Sequence, residues 1–302
     1  MVMWIYIYLN SMLQTIQQLL QLAQKNNLPI LDAELIIAHV LKKPREFVLA
    51  HPEQNTTYTQ QNTINKLIKK RVQGIPLAYL TGHKEFYGLD FIVNKYTLIP
   101  RPDTELMVSL VLDEIERLKD SKIIMIDVGT GTGCIPISII QSLNHSIFKS
   151  FAIDISKPAL SVARRNAKLH NVKIKFLHGD LLSPILNSSF INHYSSIIIT
   201  ANLPYLTPQQ FKSESSIQHE PKSALVAGKN GHELYEKLFK QIRQLLPACA
   251  GRLTPYSLLL FIEIDPRQTK TIKQLIKKYL PQAKTTIHKD LAGLDRIVEM
   301  KF

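Results

Sequence analysis

The stretch Ile123-Ile-Met-Ile-Asp127-Val128-Gly-Thr-Gly-Thr-Gly133 joins an unbroken apolar run to three glycines at alternate positions. Such a run predicts a strand buried on both faces, as in a parallel sheet. The glycines supply a tight turn and let the backbone come close to a ligand. Residues 134–143 then carry helical apolar spacing. The glycine spacing is not the G-x-G-x-x-G of dinucleotide enzymes, and no lysine follows as in a phosphate loop. Further strands are expected at 151–154, 173–176, 197–200 and 258–264, with helices at 158–170, 231–246 and 268–280. Residues 285–288 and 296–301 read as a closing hairpin. This alternation predicts an α/β chain with a doubly wound, mainly parallel sheet.

The strand ends carry the chemistry. Asp127, Asp154 and Asp180 end the first three strands. Asp154 stands where a carboxylate would accept both ribose hydroxyls of a nucleoside cofactor. Asp180 would meet the base of such a cofactor, with Leu181 packed on it. Any one such residue is as readily a cap, but three in order behind a glycine loop point to a cofactor site. That site comprises Asp127, Gly129, Thr130, Gly131, Thr132, Gly133, Asp154, Asp180 and Leu181. The fourth strand, Ile197-Ile-Ile-Thr200, stops at Ala201-Asn202-Leu203-Pro204-Tyr205. Proline cannot continue a central strand, so an amide, a free backbone carbonyl and an aromatic ring gather at its carboxyl end. They could grip a planar amide or an exocyclic amine, although an isolated N-x-P-Y is more often only a turn.

Composition sets the bounds. The chain has 302 residues, 45% hydrophobic and 20% charged, ordinary for a globular protein. Its formal net charge of +13 suggests a polyanionic partner, or equally a lysine-rich background. Two cysteines, Cys134 and Cys249, exclude a disulfide framework or a four-cysteine zinc site and suit a reducing, cytoplasmic setting. Cys134, at a helix start, reads as small-residue packing. No metal site and no membrane span are expected. Residues 1–9 are apolar but lack a basic region and a cleavage site, and 1–11 could be an extension ahead of Met12.

Residues 1–75 read as a small helical domain of four helices, with Asp32 as the N-cap of the second. Residues 76–100 read as a linker containing a β-hairpin, with alternation over 89–93 and glycines at 82 and 88. A helix then starts near Pro102, with Asp103 and Glu105 at its positive end. Residues 101–302 form the main domain.

The Asp127-x-Gly-x-Gly-x-Gly133 pattern resembles motif I of class I S-adenosylmethionine-dependent methyltransferases. Asn202-Leu-Pro-Tyr205 resembles the (Asn/Asp)-Pro-Pro-(Tyr/Phe) motif IV of their amino-methylating members. Pro76-Leu-Ala-Tyr-Leu-Thr-Gly-His-Lys-Glu-Phe-Tyr-Gly-Leu-Asp-Phe91, Leu98-Ile-Pro-Arg-Pro-Asp-Thr-Glu105, His219-Glu-Pro221 and Lys289-Asp-Leu-Ala-Gly-Leu-Asp-Arg296 look like the peptide chain release factor glutamine N5-methyltransferases. The likeness runs from about residue 12 to the end.

It implies a seven-stranded class I sheet, S-adenosylmethionine as cofactor with S-adenosylhomocysteine as product, and no metal. The substrate implied is the glutamine of the GGQ loop in class I release factors, which act in translation termination. Asn202, Leu203, Pro204 and Tyr205 would be the catalytic and substrate-binding group, with Asn202 also near the cofactor. Arg101 and Glu105 would lie at the mouth of the target pocket. The helical domain would help to dock the factor, and a basic surface would suit transient contact with RNA or the ribosome. Leu203 departs from the family, which usually has proline there. Asn-Leu-Pro-Tyr is also the form seen in ribosomal RNA adenine dimethyltransferases, so N6-adenine methylation of RNA or DNA is the alternative. A translation-associated binding module with a degenerate site is a third reading.

Overall fold

The computed structural model describes residues 13–118, 122–143, 149–186, 196–250 and 257–302. The extension considered at residues 1–11, and Met12, lie outside them. Two compact units divide the chain, one ending at Gly82 and one running from His83 to Phe302. The hairpin expected within a 76–100 linker therefore belongs to the second unit, and the segment before it, Leu77–Thr81, is a helix of the first.

The first unit is helical: α1 (Ile16–Lys25), α2 (Ile30–Leu41), α3 (Arg45–Ala50), α4 (Tyr58–Val72) and α5 (Leu77–Thr81). Capping boxes start α1 and α4: Thr15 pairs with Gln18, and Thr57 with Gln60, each side chain meeting the other's backbone N–H. Ile16, Leu19, Ile36, Ile37, Val48, Ile64 and Ile68 form the core. Asp32 is not the N-cap of α2; Pro29 holds that position without a side-chain cap. Asp32 lies within the first turn, where the helix end favours a carboxylate, and it accepts from Arg71 of α4 at 2.7 Å.

The second unit opens with a hairpin, β1 (His83–Phe86) and β2 (Leu89–Ile92), turned by Tyr87-Gly88. Both turn residues have positive φ, +52° and +72°, the pattern of a two-residue turn matched to strand twist. Tyrosine resists that conformation, and two contacts hold it there. Its N–H donates to Glu105 at 3.0 Å, and its hydroxyl meets Ser109 at 3.2 Å.

Then come α6 (Glu105–Arg117), β3 (Ile123–Val128), α7 (Cys134–Ser142), β4 (Lys149–Asp154), α8 (Lys157–Leu169), β5 (Lys175–His178) and β6 (Ser196–Ala201). The short α9 (Pro208–Ser213) leads to α10 (Glu233–Ala250), β7 (Ser257–Glu263), α11 (Thr269–Tyr279), β8 (Lys284–Lys289) and β9 (Asp295–Lys301). The strand expected at 173–176 sits two residues later, because Leu177 and Phe176 are the residues that face Ile153 and Ala152 of β4. Pro102 lies in a one-turn 3-10 helix that precedes α6.

The seven strands run in the order β5-β4-β3-β6-β7-β9-β8. The first five in this order pair in parallel, and β9 alone is reversed, pairing antiparallel with both β7 and β8. Alternate residues of each strand enter the two cores. Ile124, Ile126, Ile197, Ile199 and Leu260 pack with Leu238, Phe239 and Ile272. Met125, Ile198 and Phe261 pack with Met107, Val111, Ile137 and the hairpin's Phe86 and Phe91. The chain winds outward in opposite directions from β3 and β6, so a crevice opens beyond their carboxyl ends.

Asn166 of α8, fully buried, fixes the hairpin to the glycine loop. It accepts from the Ile92 N–H at 2.8 Å and donates to the carbonyls of Ile92 (3.0 Å) and Thr132 (2.9 Å). Asn166→Ala should lower the unfolding free energy by about 2–5 kcal/mol, because three backbone groups lose their partner. A urea titration should show an earlier midpoint with unchanged slope.

Candidate active site

The crevice is an open cleft enclosing about 1010 Å³, some of it continuous with solvent, enough for a nucleoside-sized ligand. Its floor is the glycine loop. The N–H groups of Gly129 and Thr130 both donate to the Ile153 carbonyl, at 2.8 and 3.0 Å, so the loop folds over the end of β4. A side chain on Gly129 (φ +75°) would come within 2.9 Å of Leu203 Cδ2, and one on Gly133 within 3.1 Å of Ile137. At Gly131 a Cβ would meet nothing closer than 4.0 Å, so this glycine leaves open space.

Asp127 is buried under the loop. Thr200 of β6 donates to it at 2.7 Å. Burial pushes its carboxyl up to about 6, against the opposing effect of the Thr130 and Thr200 hydroxyls. Asp127 supports the loop from below and does not line the cleft. Asp154 does. Its two oxygens accept from Gly131 N–H at 2.9 Å and Ser156 N–H at 2.8 Å. Burial raises its pKa, and those amides work against the rise. Each oxygen keeps a lone pair for a hydroxyl donor. Asp180 and Leu181 line the same cleft, although the Asp180 carboxylate pairs with Lys237. This donor set, with an open glycine cradle beside a strand-end carboxylate, fits S-adenosylmethionine.

Asn202, Leu203 and Pro204 line the cleft from the end of β6; Tyr205 does not. Burial, with Glu263 nearby, raises the Tyr205 pKa, and its carbonyl accepts from Gln268 at 2.9 Å. Leu203 is buried, and its N–H donates to the Tyr235 hydroxyl at 3.2 Å. That hydroxyl donates in turn to the Glu263 carbonyl. The Asn202 amide nitrogen donates to Thr104 Oγ1 at 3.0 Å.

Arg101 lines the cleft and pairs with Glu220, which also accepts from Ile99 N–H at 3.0 Å. The His219-Glu-Pro221 motif thus pins the segment that walls the cleft. Glu105 stands away from the lining, since its carboxylate is taken by the hairpin turn. Asp103 pairs with Arg296 at 3.1 Å, and Asp290 holds the same guanidinium at 3.0 Å. Burial pushes the Cys134 thiol up to about 12, so it is packing and no nucleophile. The side chain of Cys249 lies outside the described residues. Thr104 and Glu220 lie within signatures quoted from the sequence but were given no role there, and Tyr235 and Glu263 were missed. Of the latter two, only Glu263, a carboxylate inside the apolar run of β7, carried a signal.

Residues 11–82 match the PrmC N-terminal domain and residues 119–244 a methyltransferase domain. A release factor glutamine methyltransferase of Bacillus anthracis is 33% identical over 268 residues, covering 88% of this chain and 90% of that protein. The one from Nitratidesulfovibrio vulgaris is 32% identical and covers 96% and 94%. The chain belongs to the release factor glutamine methyltransferase family. Among solved structures, the hMettl16 catalytic domain in complex with MAT2A 3′UTR hairpin 1 has a TM-score of 0.53 at 16% identity, covering 82% of this chain and 83% of that one, a likeness of fold alone. Among the described residues no helix is long and apolar enough to cross a membrane.

Within this family Leu203 tests what the motif's second position does. Leu203→Ala removes the contact with Gly129 but keeps the carbonyl. It should cost about 2–5 kcal/mol of stability by denaturant titration, while methyl transfer at saturating substrate stays largely intact.

Proposed function

We propose that this enzyme transfers the methyl group of S-adenosylmethionine to the side-chain amide nitrogen (N5) of the glutamine in the GGQ loop of class I release factors. The observation that carries the reading is the meeting of Asn202-Leu-Pro with the glycine loop and Asp154 in one cleft. Bound there, S-adenosylmethionine supplies an electrophilic methyl group on a sulfonium.

The chain's own residues do the rest. Asp154 takes the ribose hydroxyls, and Gly131 leaves room for the cofactor. Asn202 Oδ1 and the Leu203 carbonyl accept the two N–H groups of the target amide, which aims the nitrogen at the methyl group. Holding reactants in line removes up to roughly 7–11 kcal/mol of barrier in ideal cases. Both acceptors gain strength as the nitrogen becomes positive, which stabilises the transition state electrostatically. The reaction needs neither a metal nor a strong base, because the methylated nitrogen sheds its proton readily. The helical unit contributes to docking the factor.

Purified protein incubated with labelled S-adenosylmethionine and a release factor should label the wild-type factor, and not one whose loop glutamine is alanine. Equal label on both factors, or label only on ribosomal RNA, would overturn the reading in favour of a different acceptor. Asn202→Ala should lower transfer by on the order of 100–1000-fold, as losing a transition-state hydrogen-bonding group does. Calorimetry should find cofactor binding largely preserved; its disappearance would make Asn202 a cofactor or structural residue.

A further inference from the structure

A side-chain amide can be held either way round, and only its oxygen accepts a hydrogen bond. For Asn202 the surrounding groups fix the choice. Its Nδ2 donates to Thr104 Oγ1 at 3.0 Å, and the Thr104 hydroxyl donates to Glu263 Oε2 at 2.6 Å. A hydroxyl has one proton. Once that proton is committed to a carboxylate, which accepts and cannot donate, Thr104 has only lone pairs to offer Asn202. The amide nitrogen must therefore face Thr104, which leaves Oδ1 for the acceptor. If Glu263 carried a proton, the donors could run the other way, from Glu263 to Thr104 to Asn202 Oδ1. The NH2 group would then face the target N–H and repel it.

We propose that Thr104 and Glu263 are positioning residues for methyl transfer, acting through Asn202 by holding its amide oxygen toward the target nitrogen. The proposal rests on Asn202 being the acceptor clamp. Three elements distant in sequence supply the relay: the turn before α6, the end of β6 and the end of β7. Thr104 and Glu263 are both buried, and Glu263 sits between the fully buried Ile262 and Ile264. An apolar residue there would spare the cost of desolvating a carboxylate, so the cost argues for a role beyond packing.

The groups facing Glu263 are Thr104 and Asp103 on the turn, Asn202 and Tyr205 after β6, Tyr235 on α10, Arg296 on β9 and Cys134 on α7. Burial pushes Glu263 up to about 7, while Thr104, Arg296 and Asn202 favour its ionised form and Asp103 opposes it. The relay has the required polarity only when Glu263 is ionised. Transfer should therefore weaken as pH falls through about 7.

Kinetics with a release factor should compare the wild-type enzyme, Thr104→Val and Thr104→Ser from pH 6 to 8.5. Thr104→Val should lower kcat by about 10–100-fold, the scale of a misplaced reacting group, with cofactor affinity unchanged. Thr104→Ser should recover most of the rate, and the fall below pH 7 should disappear in Thr104→Val. A Thr104→Val enzyme with wild-type kcat and pH profile overturns the proposal; so does one that loses cofactor affinity in step with rate, which would mark a packing role.

A second measurement needs no acceptor. The Asn202 side-chain NH2 resonances of the full chain, assigned by their loss in Asn202→Ala, should titrate near pH 7 in the wild type and not in Glu263→Gln. Frequencies constant from pH 6 to 8 overturn the relay whatever the substrate. Titrating frequencies without methylation of release factor support the relay and refute the assigned substrate.

Discussion

The parallel pairing of β3 with β6 is the constraint on which the rest depends. Its register sets Asp127 opposite Thr200 and Val128 opposite Ala201, so the glycine loop and Asn202 leave the sheet side by side. The Thr200–Asp127 hydrogen bond locks that register from inside the sheet. Both strands are buried on both faces, so their apolar pattern alone would tolerate a one-residue slip; the buried polar pair, which such a slip would separate, is what fixes the register. Gly129 then completes the juxtaposition. With φ at +75° and no Cβ, it lets the Leu203 side chain close over the loop. The glycine-loop floor of the cleft and the Asn202-Leu203 segment are thus one packing unit.

A second layer of buried polar groups sits on this frame. Asp127, Thr104, Glu263 and Tyr235 are all nearly inaccessible, and each is tied to another element by a hydrogen bond. Apolar residues would make a more stable sheet end, since each buried carboxylate pays for desolvation that its partners only partly return. What the polar groups give instead is direction: a hydrogen bond, unlike an apolar contact, distinguishes the two ends of an amide.

Much of this was legible in the sequence, and the reason is periodicity. Unbroken apolar runs announced β3, β6 and β7, and glycines at alternate positions marked the loop between β3 and α7. What escaped was chemistry arising from contacts between distant segments. Thr104 looked like part of a helix start, and nothing local tied it to residue 263. Glu105 looked like a site residue because it follows a family signature, yet its carboxylate serves the Tyr87 amide in the hairpin turn. Asp32 carried the composition of an N-cap, but Pro29 holds that position, the helix begins at Ile30, and an arginine 39 residues later claims the carboxylate. Propensity names a residue's local options; tertiary partners choose among them.

Leu203 shows the same rule at the position where this chain departs from its family. Proline has no N–H, whereas leucine brings one into a buried site, where an unpaired donor costs about 1–3 kcal/mol. The Tyr235 hydroxyl resolves this by accepting from Leu203 N–H while passing its own proton to the Glu263 carbonyl. That proton is spent on a strand end, and the hydroxyl stands 3.5 Å from the Leu203 carbonyl, too long to compete strongly for it. The carbonyl therefore keeps its capacity to accept from a substrate. Leucine can replace proline here because the group that satisfies its extra donor leaves the acceptor beside it available.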